Sequence, residues 1–590
     1  MEITETNAAK IEMVELPAKS QPVTITVADG LLLGIVALGA ILRFANLGET
    51  PLSPAEAKNA LSVWEFWQPG DNTQTLISPL YFSLTSLFSQ ILGSSDAIMR
   101  LVPALAGLGL IILPRYWQRW LGNAGMLTVS FLIAISPLTT VISRTANGDS
   151  LALFCALLLL TAVFTYQTTH DKKWLTITAV SLGLGLTTAP LFYSALIILA
   201  IAYFLQQRLG PKLEIEDWRL NTSRQSLISN LAIPLLLSFL AASTLFLWNP
   251  TGMGAAARIL GNWVGQLGLS PQIAEPFWAL ARYELLLLLL GITALVWAVR
   301  QDSPLATFFA YWFLLALVWL VVQQGTMSNI LLVMLPVYFL LGSVSQSIFA
   351  AHSNWLTWLL AGGLLVLGAL TLANFTRYVR LASQNGNTIA PLWFTAMGIL
   401  IAAFAFFVVV NWDEETAAYQ GFWLGLLGLL FFLQWGTAWE LGHRSANDPR
   451  ERWVGEATDD DMRFLATTIR DVSRQGSKSD VDLELFSAVD TPVLRWYLRP
   501  FRQVQFGNTI PTAATHQAII TRAGIAEPGF GSNYLGTDFG YYRPPVNPEL
   551  YQSGRPLIDT FLWWLFHDSP IPIPEERLVL WVRSDVAQPR

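Results

Sequence analysis

Apolar runs recur along the first 440 positions of the chain, each of about 20 residues, the length that crosses a bilayer as a helix. They predict spans near 30–47, 97–117, 123–142, 149–167, 173–189, 191–206, 228–247, 277–299, 304–323, 328–349, 354–374, 391–411 and 418–438. That is about thirteen, give or take one or two, because 173–206 is a single apolar block bent at Pro190. From about 440 the pattern changes. Segment 443–590 is polar, with carboxylates and arginines interleaved, and reads as one soluble domain. Within it Asp459–Ser473 repeats at helical spacing, placing Met462, Leu465, Ala466 and Ile469 on one face. Val481–Val489 alternates as a strand, Gln517–Thr521 and Leu578–Val582 are two more short strands, and Pro492–Leu498 is a helix. The aromatics Phe561, Trp563, Trp564 and Phe566 read as the edge of this domain's core, with the membrane headgroup layer as the alternative. The predicted fold class is mainly α: a polytopic transmembrane helical bundle followed by a small C-terminal α/β domain.

Composition fits that class. Hydrophobic residues make up 53% of the chain and charged residues 13%, against roughly 25% charged in a soluble domain. Short loops carrying Arg115 and Arg119, Lys172 and Lys173, Arg208, Lys212, Arg219 and Arg224, and Arg300 are the basic ones, and basic loops stay inside. This orientation makes 1–29 a cytoplasmic tail, 30–442 the transmembrane domain with an extracytoplasmic loop over 48–96, and 443–590 an extracytoplasmic domain of a multi-pass cell-membrane protein. The opening 29 residues are polar and carry no cleavage site after an apolar core, so the first span is expected to be a signal anchor. The single Cys155 lies in an apolar run and excludes an internal disulfide or a cysteine metal cluster. A formal charge of −6 gives no reason to expect nucleic acid as a partner.

The loop after the first span carries Glu49, Glu56, Lys58, Glu65 and Asp71. A carboxylate held at the water–lipid boundary is where an enzyme acting on a lipid-carried substrate needs its base, and Glu56 is the first candidate. It also has a structural reading, because Ser53-Pro54-Ala55-Glu56 is a capping box with Ser53 as N-cap and Pro54 at the first helical position. Asp149 is a second candidate carboxylate, or a helix-start residue favoured by the macrodipole. Arg144, Arg258 and Arg282, with Lys58, are the outer-side cations that suit a lipid phosphate, unless each anchors a helix end by snorkelling. Loop 249–276 is glycine-rich with an amphipathic middle, either a segment closing over a lipid substrate or an ordinary interfacial helix. The chain has no glycine-rich phosphate loop, no nucleophile elbow and no HExxH, and its five histidines are scattered, which argues against a histidine metal site.

Several segments resemble GT-C-type membrane glycosyltransferases of the protein-mannosyltransferase and lipid A aminoarabinose-transferase kind. After the first span those families carry an Asp-Glu-Ala motif, an amphipathic helix, a His-Pro-Pro or Gly-Pro-Leu-Tyr segment, and an Arg-Leu-Pro-Ala start to the next span. Here those places hold Ala55-Glu56-Ala57, Ser78-Pro79-Leu80-Tyr81 and Arg100-Leu101-Val102-Pro103-Ala104. Ile135-Ser136-Pro137 and Ser143-Arg144-Thr145-Ala146-Asn147-Gly148-Asp149 are similar to the family's junction between the third and fourth spans. Pro492–Arg499 is similar to a Pro-Trp-Tyr-Leu-Arg stretch of some members. The likeness covers 30–440 in architecture, but its specific residues lie within 43–150.

The resemblance implies a GT-C-like bundle that moves a sugar from a polyprenyl-phosphate carrier to an extracytoplasmic glycan, lipid or protein acceptor. It points to Glu56 and Asp149 as catalytic and to Lys58, Tyr81, Arg100, Arg144, Arg258 and Arg282 as substrate-binding. It leaves the cofactor open, a divalent cation on Asp149 being the candidate. The sequence departs from the family at Ala55, where the motif has its aspartate, and at Ile77, where a histidine is common. Ala55 keeps a non-catalytic scaffold as an alternative. A transporter is the other, but it expects charges buried within spans, where the sequence offers mainly Glu284 beside Arg282.

Overall fold

The computed structural model describes residues 26–69, 78–211, 228–269, 273–301, 303–350, 353–412, 414–510, 515–524, 530, 532–546, 556–567 and 571–587. Every predicted apolar segment coincides with helix. The first elements are α1 (Val27–Phe44), α2 (Pro54–Phe66), α3 (Pro79–Leu92), α4 (Asp96–Ile112), α5 (Gln118–Ile135), α6 (Pro137–Arg144), α7 (Asp149–Thr169), α8 (Lys172–Gly185) and α9 (Pro190–Leu209). Proline opens α2, α3, α6 and α9, where its fixed φ suits the first turn and its missing N–H costs nothing.

Among the described residues nine helices are long and apolar enough to cross a membrane, or ten if Ala274–Tyr283 and Leu285–Arg300, bent by 97°, form one broken span. The difference from thirteen has a physical basis. Asp96–Ile135 is one 40-residue stretch, which at 1.5 Å per residue is about 60 Å, two crossings' worth. It is interrupted by the tight turn Leu113–Trp117 and by Gly122, whose φ is +63°. In contrast, α8 has only 14 residues and Ile228–Thr244 is also short. Hydropathy reads each run as a crossing and does not see where a helix breaks.

The bundle is tightest where side chains vanish. A Cβ on Gly125 of α5 would lie 2.6 Å from the Gly342 carbonyl of helix Ile330–Ile348, so these two helices meet backbone to backbone, as small residues allow in membranes. Beside them Trp117, fully buried, is ringed by Phe164, Phe309 and Phe339.

The C-terminal part is a six-stranded sheet with β1 (Ala457–Thr458), β2 (Leu485–Ser487), β3 (Val504–Phe506), β4 (Ala518–Arg522), β5 (Tyr534–Arg543) and β6 (Glu576–Arg583), ordered β1-β5-β6-β4-β2-β3. β2 runs parallel to β3 and β4, and the remaining pairs are antiparallel. The predicted helices appear as Asp461–Ser477 and Pro492–Leu498, the former burying Met462, Leu465 and Ile469. Val481–Val489 pairs only over Leu485–Ser487. β5 escapes sequence reading because its first half, with Gly536 and Asp538, is exposed and does not alternate. Of the aromatics, Trp563 is buried, while Phe561 meets Phe375 at 5.2 Å and Phe566 lies under Arg380. Both partners sit on Trp355–Ser383, a candidate span, so this helix edge docks the sheet domain against the end of the bundle.

The sheet domain packs on the same end of the bundle as α2 and the turn after α1. Tyr497 Oη donates to Asp96 and accepts from the Leu52 amide, Thr458 Oγ1 donates to the Leu52 carbonyl, and Asp96 pairs with Arg463 at 2.7 Å.

Candidate active site

The capping box at the start of α2 forms as its sequence requires: Ser53 Oγ accepts from the Glu56 amide and Glu56 Oε2 accepts from the Ser53 amide. The carboxylate is engaged further. Arg100 Nε and Nη2 donate to its two oxygens at 2.8 and 2.7 Å, and the Ala146 amide donates to Oε1 at 2.8 Å. Two carboxylate oxygens offer about four acceptor positions, and here all are filled. Burial alone would raise the Glu56 carboxyl, but the Arg100 charge, its hydrogen bonds and the Ala146 and Ser53 amides hold it below the usual carboxylate value. Glu56 is thus an ionised clamp, 5% exposed, tying the α2 loop to α4 and to the α6–α7 junction.

Arg100 spends its other donors on the Leu47, Thr50 and Pro51 carbonyls. Arg144 is likewise committed, with Nε on the Gly442 carbonyl at 2.8 Å and its terminal nitrogens on the carbonyls of Leu42, Arg43, Ala45 and Asn46, the C-terminal end of α1. Tyr81 is buried and donates to the Met99 carbonyl. Glu56, Arg100 and Arg144 share the wall of a cavity of about 120 Å³ with Thr50, Ser53 and Glu456, yet both guanidiniums there serve the fold.

Asp149 differs. It opens α7, three residues after the amide that Glu56 holds, and Asn59 of α2 donates to the Ala146 carbonyl at 2.9 Å. The Asp149 side chain is partly exposed and accepts from Asn147 Nδ2 through Oδ2; Oδ1 has no hydrogen-bond partner among the described residues. Gly148 before it is closely packed, since a Cβ there would lie 2.5 Å from both Ser78 Oγ and the Thr188 carbonyl. Ser78 Oγ is itself buried without a partner among the described residues. The structure therefore brings Glu56, Arg100, Arg144 and Asp149 around one loop, 145–149.

Lys58 is exposed on α2 and makes no ion pair among the described residues. Arg258 lies elsewhere, exposed on helix Gly252–Gly265, the amphipathic middle of loop 249–276. That helix buries Ala255, Ala256, Ile259 and Trp263, and its end is fixed by Gln323, which bridges Gln266, Asn329 and Ser194. Arg282 lies over Trp563 at 4.1 Å. Neither belongs to the 145–149 cluster.

Three further buried polar groups lie outside this cluster. Arg43 in α1 is fully buried and bonds the carbonyls of Gly39, Ile133 and Ala134. Glu284, at the 97° break, accepts from Ser136, Tyr338 and Gln434. Glu451 accepts from Tyr283 Oη at 2.6 Å and bonds His567 Nδ1 at 2.7 Å. Glu284 is visible in the sequence as a charge within an apolar run, but its partners, the α5 carbonyls that hold Arg43 and the partners of Glu451 lie too far along the chain for any local pattern to show.

For a cation, the surroundings of Asp149 offer a single carboxylate, because Glu56 is already saturated by Arg100; this is a poor fit. An acidic cluster in the sheet domain could hold a metal ion: Asp459, Asp461 and Glu575 have ligand atoms within 4.8 Å of one another. There Asp459 also pairs with Arg543 at 2.7 Å, and Asp461 accepts from the Gly540 amide.

Residues 77–214 match the model of the dolichyl-phosphate-mannose-protein mannosyltransferase family. That stretch holds Tyr81, Arg100, Arg144 and Asp149, but not Glu56 or Lys58. No curated protein matches the chain. Among solved structures, ArnT from Cupriavidus metallidurans bound to undecaprenyl phosphate aligns over 95% of this chain and 99% of its own, at 14% identity and a TM-score of 0.56. Apo ArnT from the same organism covers 80% of this chain and 85% of its own at 16% identity and 0.49. The apo oligosaccharyltransferase of Archaeoglobus fulgidus covers 94% and 88% at 11% and 0.43. The likeness to lipid-bound ArnT shows a shared fold along nearly the whole chain, and the bundle with its C-terminal domain is a GT-C fold. The relatives by family model and by fold are glycosyltransferases.

Proposed function

We propose that the protein is a membrane glycosyltransferase that moves a sugar from a polyprenyl-phosphate carrier to an acceptor on the side of the sheet domain. One observation carries the reading. The two segments that resemble the GT-C motifs, far apart in sequence, meet through the Glu56–Ala146 bond and leave a partly exposed carboxylate, Asp149, at their junction. In this reading Asp149 takes the acceptor proton as the glycosyl phosphate leaves, a contribution of about 10²–10⁴-fold. Glu56 positions the loop, and Lys58 meets the carrier phosphate. Tyr81, Arg100 and Arg144 hold the walls, and no step is assigned to a metal. The domain in 443–590 is extracytoplasmic, 30–442 forms the bundle and 1–29 is cytoplasmic. This side assignment rests on the basic loops predicted to face inward and on the packing of the sheet domain against the turn after α1.

The test is donor consumption by the reconstituted wild-type chain across a panel of polyprenyl-phosphate sugars. Turnover of at least one donor supports the reading. No consumption of any donor overturns it and favours the second reading, a GT-C scaffold without catalysis, for which Ala55 at the motif aspartate's place is the specific observation.

A further inference from the structure

Away from the 145–149 loop, a cavity of about 370 Å³ opens where helix Asp461–Ser477 and the segment after Pro492–Leu498 meet the start of α4. It shares no lining residue with the cavity that holds Glu56. Its charges do not balance. Asp96 is engaged on both oxygens, with Oδ1 accepting from Trp496 Nε1 and Oδ2 from Tyr497 Oη and Arg463 Nη2. Arg463 thereby cancels it. Arg470 and Arg499 remain, and neither forms an ion pair among the described residues.

Arg499 is the more telling of the two. It is partly buried, stacked on Trp496 at 3.5 Å, and among the described residues it donates only to the carbonyls of Trp496 and Ser94. Burial pushes its guanidinium down to about 10 despite the nearby Asp96. A half-desolvated cation without a carboxylate of its own is stabilised by a bound anion, and guanidinium forks match phosphate oxygens. The position also says which anion is at hand. The floor, Ser94–Ala97, begins a candidate span, and just before it Ile91 and Leu92 expose their apolar side chains, 79% and 55% accessible. Cations beside exposed aliphatic residues at a helix end form an interfacial pattern that takes an anionic lipid.

We propose that this groove binds a phosphate oxyanion between Arg470 and Arg499, supplied by the headgroup of an anionic membrane lipid, at a site separate from the transfer cavity. Because Arg463 also holds the carbonyls of Gly48, Glu49 and Thr50, an occupied groove reinforces the clamp on the turn that leads into α2. The inference does not depend on the transferase reading.

The experiment titrates the full-length protein in neutral detergent with dihexanoylphosphatidylglycerol, dihexanoylphosphatidylcholine or inorganic phosphate, following affinity and thermal stability. The glycerol lipid should bind more tightly than the choline lipid, and R470Q should weaken it by about threefold, as expected for an exposed charge contact. Arg470 is exposed, so R470Q keeps the test sound if R499Q perturbs the packing over Ser94. Phosphate binding as tightly as the glycerol lipid, and equally weakened by R470Q, supports the oxyanion site with free phosphate as its source. Equal affinity for both lipids, no effect of R470Q and R499Q, or no binding of either glycerol lipid or phosphate overturns the proposal.

Discussion

At the residue scale, Glu56 shows how one side chain carries a structural load that its motif position does not reveal. The carboxylate sits 2.7 Å from Arg100 with both side chains almost fully buried. Removing one partner of such a pair leaves an uncompensated charge, which costs about 3–5 kcal/mol. Glu56→Gln is therefore expected to lower the melting temperature sharply even though the amide can still cap α2. Arg100→Gln should cost less in the Glu56→Gln chain than in the wild type, as a double-mutant cycle would measure, although the bonds of Arg100 to the Leu47, Thr50 and Pro51 carbonyls are lost in both. The pH dependence follows with a definite sign. Because the folded carboxyl lies below its usual value, its stabilisation is present above the ordinary carboxylate range and is lost as pH falls through the folded value. The melting temperature should fall below about pH 5 more steeply in the wild type than in Glu56→Gln, which lacks this carboxyl's share. The cap was legible because it is local, four residues read in a row. The Arg100 partner, 44 positions away, was legible only as a member of a family motif, and its pairing with Glu56 was not.

At the scale of elements, the start of α7 depends on a close approach. A Cβ on Gly148 would strike the Thr188 carbonyl, which is backbone and cannot swing aside, as well as Ser78 Oγ. Gly148→Ala is expected to cost about 1–3 kcal/mol by overpacking and to shift Asp149 with it, so thermal melting and turnover should fall together. Helices as such were readable from apolar runs and from proline at their first turns. Their breaks were not: 277–299 reads as one run, yet the chain turns by 97° at Glu284, whose carboxylate is taken up by Ser136, Tyr338 and Gln434 from other elements. Burial of that carboxylate is decided by partners up to 150 residues away, which no window of sequence contains. The same holds for the sheet, where β6 alternates as a strand should and β4 is a short apolar run, while β5 is recruited by pairing with β6 rather than by its own pattern.

At the scale of the whole molecule, the sheet domain and the α2 loop form one assembly on one end of the bundle, joined by Asp96, Arg463, Tyr497 and Thr458. Gln475, exposed near the end of helix Asp461–Ser477, gives a handle on its side. A Gln475→Cys chain should react with a membrane-impermeant maleimide on intact cells; reaction only after permeabilisation would put the domain, and with it the α2 loop, inside. The buried native Cys155 supplies the silent background. The central claim, that the loop held by Glu56 presents Asp149 as the base for sugar transfer, is tested most directly by turnover of Asp149→Asn on a polyprenyl-phosphate sugar that the wild type consumes, with melting measured on the same preparation. The account predicts a fall of about 10²-fold or more with an unchanged melting temperature, since the amide keeps the shape and Asp149 holds no buried ion pair. Turnover within a few-fold of wild type in a fully folded Asp149→Asn chain would contradict it.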